Sequence, residues 1–266
     1  MIKTLIKSLR ISWSSKTVNM FLLALTYAYF SGININNPLQ ILEGLLLTCI
    51  LWGALYSLND LTDLKSDKKN PEKQNRTFIR DNIPKKWIIT FIIGLLVIIF
   101  FSAILTLGVY FTIILGLMVL NQIVYTLPPV RLKDTRLAPF ASTANNSVLR
   151  IAACSVLLGD IFLVPLSVYI FMYTASMATY LMYKGIPKIA NLVGVLTGII
   201  LIYILYTGQI NIIQLAVAVL PAIIAGVPLY LSLFFDKVKM ARIADVLYHQ
   251  VALIFFLIVI VYILFF

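Results

Sequence analysis

The organisation of the chain follows from one polar segment, residues 59–76, which has the sequence NDLTDLKSDKKNPEKQNR. This segment follows a long apolar run that ends at Leu58, and it holds four of the ten acidic residues of the protein. Asp60, Asp63 and Asp67 are three and four residues apart, so a helix that continues through them places their carboxylates on one stripe. The stripe begins at the edge of the apolar run, where ionisable groups are costly and usually functional.

Three carboxylates on one stripe repel each other, and a hard divalent cation such as Mg²⁺ neutralises them. Asn59 lies beside the stripe and offers a further oxygen. Mg²⁺ held by few protein oxygens keeps positions for phosphate groups, and the cations of Lys73 and Arg76 suit the remaining phosphate charge. We therefore expect a site for Mg²⁺ and a diphosphate. The alternative is a solvated loop in which Asp and Lys are mixed for solubility.

The composition excludes an ordinary soluble domain, because 61% of the 266 residues are hydrophobic and only 12% are charged. We expect an all-α membrane protein with a single domain over residues 1–266, in which the basic, amphipathic segment 1–16 lies along the membrane surface. The apolar windows predict nine membrane-spanning helices. They cover residues 17–33, 38–59, 87–107, 109–127, 139–159, 162–183, 189–207, 212–234 and 247–265.

The basic residues support this topology. All of the 21 Lys and Arg residues except Arg150 fall in residues 1–16 or in loops that lie on the same side of a nine-helix chain. Loops rich in Lys and Arg stay in the cytoplasm, so we expect the N-terminus and the aspartate segment to be cytoplasmic and the C-terminus to be outside. The net charge of +11 then reflects topology, and no nucleic-acid partner is expected.

Two further polar features accompany the aspartates. Tyr125 precedes Pro128 and Pro129, which end a helix and hold Arg131 and Lys133 in a defined turn. This basic pair suits either phosphate binding or anchoring to anionic lipid.

Arg150 lies near the middle of the fifth predicted span, and Asn145 precedes it. A guanidinium at this depth requires an anion, carbonyl groups or a water-filled cavity, so we expect Arg150 to face the interior of the bundle. Its role is either an internal structural hydrogen bond or a contact with a substrate phosphate or polar head group.

Together these residues resemble the UbiA superfamily of intramembrane prenyltransferases. The resemblance rests on the motif from Asn59 to Asp67, on Arg76 nine residues later, and on the segment from Tyr125 to Lys133. It implies a nine-helix bundle with a central cavity open to lipid, in which Mg²⁺ promotes ionisation of a prenyl diphosphate and the prenyl group passes to an aromatic or other lipophilic acceptor. The same resemblance implies that Asp60, Asp63 and Asp67 bind Mg²⁺ with support from Asn59, and that the diphosphate is held by Lys73, Arg76, Arg131 and Lys133, with Tyr125 nearby.

The chain departs from the family after the sixth predicted span. A second aspartate-rich motif is usual there, but this chain has Tyr183, Lys184 and Lys188 and no carboxylate. These residues, with Arg150 and Asn145, are candidates for a second phosphate or acceptor site, and the alternative is that the lysines extend to the membrane surface. The basic replacement resembles the branch of the superfamily that transfers phosphoribose from phosphoribosyl diphosphate to a polyprenyl phosphate.

Two other functions remain open. A terpene cyclase on the same scaffold would quench the cation internally and would need no acceptor. A non-enzymatic lipid transporter would account for the helices and for Arg150, but it would leave the aligned aspartates unexplained. Prenyl chain length, acceptor identity and oligomeric state are not determined by the sequence.

Overall fold

A computed structural model describes residues 1–266, apart from the side chains of residues 72, 142 and 143. Within the described chain the regular structure is entirely helical, which confirms the all-α prediction. The α-helices are α1 (Ile2–Ser8), α2 (Ser15–Phe30), α3 (Pro38–Asp67), α4 (Thr77–Arg80), α5 (Lys85–Ser102), α6 (Val109–Thr126), α7 (Asn145–Leu157), α8 (Leu166–Tyr183), α9 (Pro187–Tyr206), α10 (Ile212–Gln214), α11 (Leu220–Leu231), α12 (Lys237–Val246) and α13 (Leu253–Phe265).

Turns of π-helix join some of these helices into longer segments. They are Ala103–Leu107 after α5, Phe140–Ala144 before α7, Leu215–Val219 between α10 and α11, and Leu247–Ala252 between α12 and α13. Over residues 1–266 the result is nine long helical segments, which coincide with the nine predicted windows to within a few residues at most ends. The exceptions are α3, which ends eight residues after its window, and α12, which begins the last segment ten residues before its window.

Six of the long segments are apolar and long enough to cross a membrane. The other three, residues 15–30, 140–157 and 166–183, are shorter or contain more polar side chains. The chain is therefore a multi-pass membrane protein. The number of nine crossings, the cavity open to lipid and the sidedness of the termini stay predictions.

Helix α3 carries the predicted aspartate stripe. It starts where Asn37 caps the helix, with its side-chain oxygen accepting from the backbone nitrogen of Gln40 at 3.2 Å, and where Pro38 occupies the first turn. The helix continues through Asp60 and Asp63 and ends at Asp67. The prediction of one continuous helix through all three aspartates is confirmed.

The centre of the bundle is formed by α2, α3 and α7. The segment from Phe21 to Leu25 in α2 is completely buried, as are Leu51 and Leu55 in α3 and Ile151 in α7. In contrast, α9 and α13 expose rows of large apolar side chains along much of their length. Such faces suit contact with lipid, because lipid chains are as apolar as the side chains themselves.

Residues 1–14, which we call the N-terminal segment, fold over the end of α3 where the aspartates lie. Ser8 and Ser57 share a hydrogen bond of 2.9 Å between their hydroxyl oxygens, and Thr4 donates to a carboxylate oxygen of Asp81 at 2.7 Å. Arg10 has a left-handed backbone conformation with φ of 47°. The segment is thus attached to the bundle by side-chain contacts as well as being basic and amphipathic.

This segment packs tightly against α3 at Gly53. A Cβ atom at Gly53 would lie 2.8 Å from Cβ, 2.9 Å from the carbonyl oxygen and 3.0 Å from Cα of Leu9. We expect Gly53→Ala to displace the N-terminal segment and to destabilise the protein by about 1–3 kcal/mol, the typical cost of overpacking. The measurement is the apparent midpoint of thermal unfolding in detergent. The control is Gly94→Ala in α5, where a Cβ would meet no atom within 4 Å; equal midpoints for the two variants would contradict the prediction.

Candidate active site

Asp60 and Asp67 are joined by a shared arginine. One guanidinium nitrogen of Arg76, Nη1, contacts Oδ2 of Asp67 and lies 3.3 Å from Oδ1 of Asp60. Lys73 adds a contact of 2.6 Å between its Nζ and Oδ1 of Asp67. Both carboxylates are buried, whereas Arg76 and Lys73 are partly exposed. The segment after α3 therefore folds back over the end of the helix, and its side chains Lys73 and Arg76 contact the aspartate stripe.

Asp63 and Asn59 face a second group of cations. The Nζ atom of Lys133 lies 2.6 Å from Oδ1 of Asp63 and donates to Oδ1 of Asn59 at 3.1 Å. Arg131 contacts the same oxygen of Asp63 at 3.0 Å. Its hydrogen bond to Asp134 raises the pKa of Arg131 above its usual range, and Asp63 adds to this effect, so the guanidinium stays charged. The loop after α6 thus delivers its basic pair to the aspartate stripe.

The end of α6 also fixes the side chain of Asn59. The hydroxyl of Thr126 donates to Oδ1 of Asn59 at 3.0 Å, and the amide nitrogen of Gln122 donates to the Thr126 hydroxyl at 3.0 Å. Thr126 and Gln122 are both buried. These contacts orient the Asn59 carbonyl oxygen.

Arg10 is a site residue that the sequence did not single out. Its Nη2 atom lies 2.5 Å from Oδ2 of Asp60, across 50 residues of sequence. The guanidinium also lies 5.8 Å from the ring centres of both Trp13 and Tyr56, within the range of cation–π contacts. A single arginine in a basic N-terminal segment has no periodic pattern that would reveal such a contact.

The donor set suits Mg²⁺, because carboxylate and amide oxygens are the ligands that this ion prefers. Among the side chains that the structure describes, however, no group of three or more His, Cys, Asp or Glu residues lies close enough together to hold a metal ion. Instead, Nη1 of Arg76 lies between Asp60 and Asp67 and contacts both carboxylates. The residues fit the ion provided that Arg76 exchanges its carboxylate partners for phosphate oxygens.

The residues of the predicted second site do not converge on one place as the residues around the aspartate stripe do. Tyr125 was expected near the diphosphate and not at this second site, and its hydroxyl lies 3.2 Å from that of Tyr180. Tyr183 donates to a carboxylate oxygen of Asp245 at 3.1 Å. Lys184 lies over the ring of Tyr180, 5.6 Å from its centre. Lys188 is exposed.

Arg150 and Asn145 are not brought together. They are five residues apart on one helical segment, which places them on different faces. Asn145 is exposed and donates to the side-chain oxygen of Asn121 at 3.1 Å. Arg150 is buried, and its guanidinium carbon lies 4.0 Å from the ring centre of Trp52. Its expected position inside the bundle is confirmed.

This chain is similar to known proteins in both sequence and structure. The sequence model described as the UbiA prenyltransferase family matches residues 19–144. Curated proteins gave no significant sequence match. Among solved structures, a UbiA homolog from Archaeoglobus fulgidus bound to GPP and Mg²⁺ has a TM-score of 0.67 and 17% identity, covering 96% of this chain and 99% of that one.

Two other structures extend this result. The same homolog bound to DMAPP and Mg²⁺ gives the same TM-score of 0.67 and 17% identity over 96% of this chain and 99% of that one. A digeranylgeranylglyceryl phosphate synthase gives a TM-score of 0.62 and 14% identity over 98% and 99% of the two chains. The UbiA prenyltransferase family model thus matches just under half of the chain, and the fold of nearly the whole chain is similar to that of these membrane proteins.

Proposed function

We propose that this protein is a Mg²⁺-dependent transferase that cleaves a prenyl diphosphate and transfers the prenyl group to a lipophilic acceptor. The observation that carries the proposal is the convergence of Asp60, Asp63 and Asp67 with basic residues from three separate parts of the chain at one end of an apolar bundle. Two solved structures of the same fold are bound to a prenyl diphosphate together with Mg²⁺, which supports this assignment.

In this proposal the residues of the site have two roles. The carboxylates of the stripe and the oriented oxygen of Asn59 would hold Mg²⁺, which supplies positive charge to the leaving diphosphate. The basic side chains would bind diphosphate oxygens through charge-assisted hydrogen bonds. These side chains are Arg10, Lys73, Arg76, Arg131 and Lys133.

The apolar helices would contribute by excluding water. A prenyl cation reacts with water, so transfer to an acceptor requires a dry environment around the bond that breaks. The core formed by α2, α3 and α7 is such an environment, and the site lies where α3 leaves it.

The helix connection between α8 and α9 favours a second candidate function. Lys184 and Lys188 are exposed there, where the family usually has carboxylates, and Tyr183 bonds to Asp245 from another segment. Cations at this position suit an acceptor phosphate, as in phosphoribosyl transfer from phosphoribosyl diphosphate to a polyprenyl phosphate.

The test is a substrate comparison on purified protein in detergent with Mg²⁺. One arm contains prenyl diphosphates of several lengths, with or without a lipophilic acceptor, and the other contains phosphoribosyl diphosphate with polyprenyl phosphate. Pyrophosphate release and lipid products are followed by mass spectrometry. We expect consumption of the prenyl diphosphate with formation of a prenylated acceptor.

Other results would replace this proposal. Consumption of the sugar diphosphate would establish phosphoribosyl transfer, and a cyclic hydrocarbon formed without any acceptor would establish a terpene cyclase. Movement of intact lipid across sealed vesicles without cleavage would establish a transporter.

A further inference from the structure

The interior of the bundle contains an arginine that lacks an ionic partner. Arg150 in α7 is 2% exposed, and its Nε and Nη1 atoms have no hydrogen-bond partner among the described residues. Its charged neighbours and polar contacts come from several helices. Those that interact with the guanidinium electrostatically are Tyr56, Tyr248, Cys49 and Lys16.

None of these neighbours neutralises the guanidinium. Tyr56 and Tyr248 are neutral hydroxyls in ordinary conditions, and Lys16 adds a second positive charge to the same layer of the bundle. Asp245 interacts with Lys16 and accepts a hydrogen bond from Tyr183. An arginine inside an apolar bundle usually pairs with an anion or faces a polar cavity.

The ring of Trp52 supports Arg150 without forming hydrogen bonds to it. The guanidinium carbon lies 4.0 Å from the ring centre, and this cation–π contact leaves Nε and Nη1 without a hydrogen-bond partner. Such donors match the oxygens of a carboxylate or phosphate, with which arginine forms paired hydrogen bonds. The donors of Arg150 are therefore arranged for an anion that the protein itself does not provide.

The position of Arg150 separates it from the diphosphate site. Trp52, on which Arg150 lies, is eight residues before Asp60 in α3. The backbone positions of Trp52 and Asp60 are therefore about 12 Å apart along the helix axis. A cation at this distance does not contact a diphosphate bound at the aspartate stripe, but it can bind a second molecule that lies deeper in the bundle.

We propose that Arg150, stacked on Trp52, binds the anionic group of the acceptor, which is a carboxylate or a phosphate monoester. The proposal deepens the proposed function and rests on it for the identity of the second molecule as the acceptor. The anion site itself rests only on the contacts and burial of Arg150.

The test measures binding without turnover. Benzoate, phenyl phosphate and the neutral benzamide are titrated by calorimetry into purified protein whose aspartate site is saturated with Mg²⁺ and pyrophosphate. We expect at least one of the two anions to bind, and benzamide to bind at least about 10-fold more weakly, since hydrogen bonds to charged groups contribute about 1.5–3 kcal/mol. Preference for benzoate assigns a carboxylate acceptor, and preference for phenyl phosphate assigns a phosphate.

The variants are chosen so that folding does not decide the outcome. Arg150→Met is expected to weaken the anion by at least about 10-fold, and Arg150→Lys to weaken it less, because Lys keeps the charge and loses the planar fork. Arg150→Met removes an unpaired buried charge, so its unfolding midpoint is expected to equal or exceed that of the wild type. Arg136→Met, at an exposed arginine outside the bundle core, serves as the control and should bind the anion as the wild type does.

Several results would overturn the proposal: no saturable binding of either anion, equal binding of benzamide, or unchanged anion affinity in Arg150→Met. Failure of the proposed function can be told apart from failure of the Arg150 anion site. In the first case, the wild type would not bind Mg²⁺ and pyrophosphate. Anion binding at Arg150 can be measured in that case as well.

Discussion

Replacing Asp67 with asparagine is expected to lower the rate of pyrophosphate release by at least about 100-fold, because losses of 10–100-fold are typical even for groups that only support a metal ligand. Asp67 is the most buried carboxylate of the stripe and is 2% exposed. It holds both Lys73 and Arg76, so its loss frees two cations that would otherwise be placed for the diphosphate. Asparagine keeps the shape of the side chain but removes its charge.

The measurement is the single-turnover rate of pyrophosphate release in detergent, together with the unfolding midpoint of the same sample. Lys73 and Arg76 are partly exposed, so water can solvate them after the substitution and the variant should remain folded. Asp81→Asn is the control, since Asp81 pairs with Arg80 and Thr4 away from the stripe. Normal release by folded Asp67→Asn protein would remove Asp67 from the mechanism.

The second large effect concerns the order in which metal and diphosphate bind. Together with Asp134, the stripe provides four carboxylates, and five cations contact these groups within the described site. The cluster therefore carries a small positive charge before substrate binds. A divalent cation alone would be repelled and would have to displace Arg76, whereas a diphosphate would be attracted.

We accordingly expect Mn²⁺, used in place of Mg²⁺, to bind at least about 10-fold more tightly when pyrophosphate is present, which corresponds to about 1.4 kcal/mol of coupling. Protein-bound Mn²⁺ is measured by electron paramagnetic resonance against protein-free mixtures of the same composition. Arg10→Gln removes one cation from Asp60, so this variant should bind Mn²⁺ alone more tightly than the wild type does. Equal Mn²⁺ affinity with and without pyrophosphate would contradict the ordered binding.

The helices and the aspartate stripe were accessible from sequence because their signals are local and periodic. Long apolar runs predicted the segments, and the spacing of Asp60, Asp63 and Asp67 predicted their shared stripe. The prolines after α6 and the common side of the loops predicted that Arg131 and Lys133 lie in a defined turn on the same face as the aspartates, and both residues contact Asp63.

The remaining features depend on tertiary packing. The sequence predicted Lys73 and Arg76 beside the diphosphate, but in the fold both contact the carboxylates themselves, and Arg10 is added from the N-terminal segment. Asn145 was grouped with Arg150 by proximity along the chain, although helical geometry turns the two apart. The contact of Thr126 with Asn59 likewise joins residues that no local pattern connects.

The contact between the two ends of the chain bears on how the site forms during biosynthesis. Trp13 stacks on the ring of His249 at 4.7 Å, and the Ser15 hydroxyl lies 2.5 Å from Nδ1 of the same histidine. Trp13 is synthesised more than two hundred residues before His249, so the N-terminal segment completes its packing only when synthesis has reached the ninth helical segment. Arg10 and Asp60, in contrast, are both present early and can neutralise each other while the later helices insert.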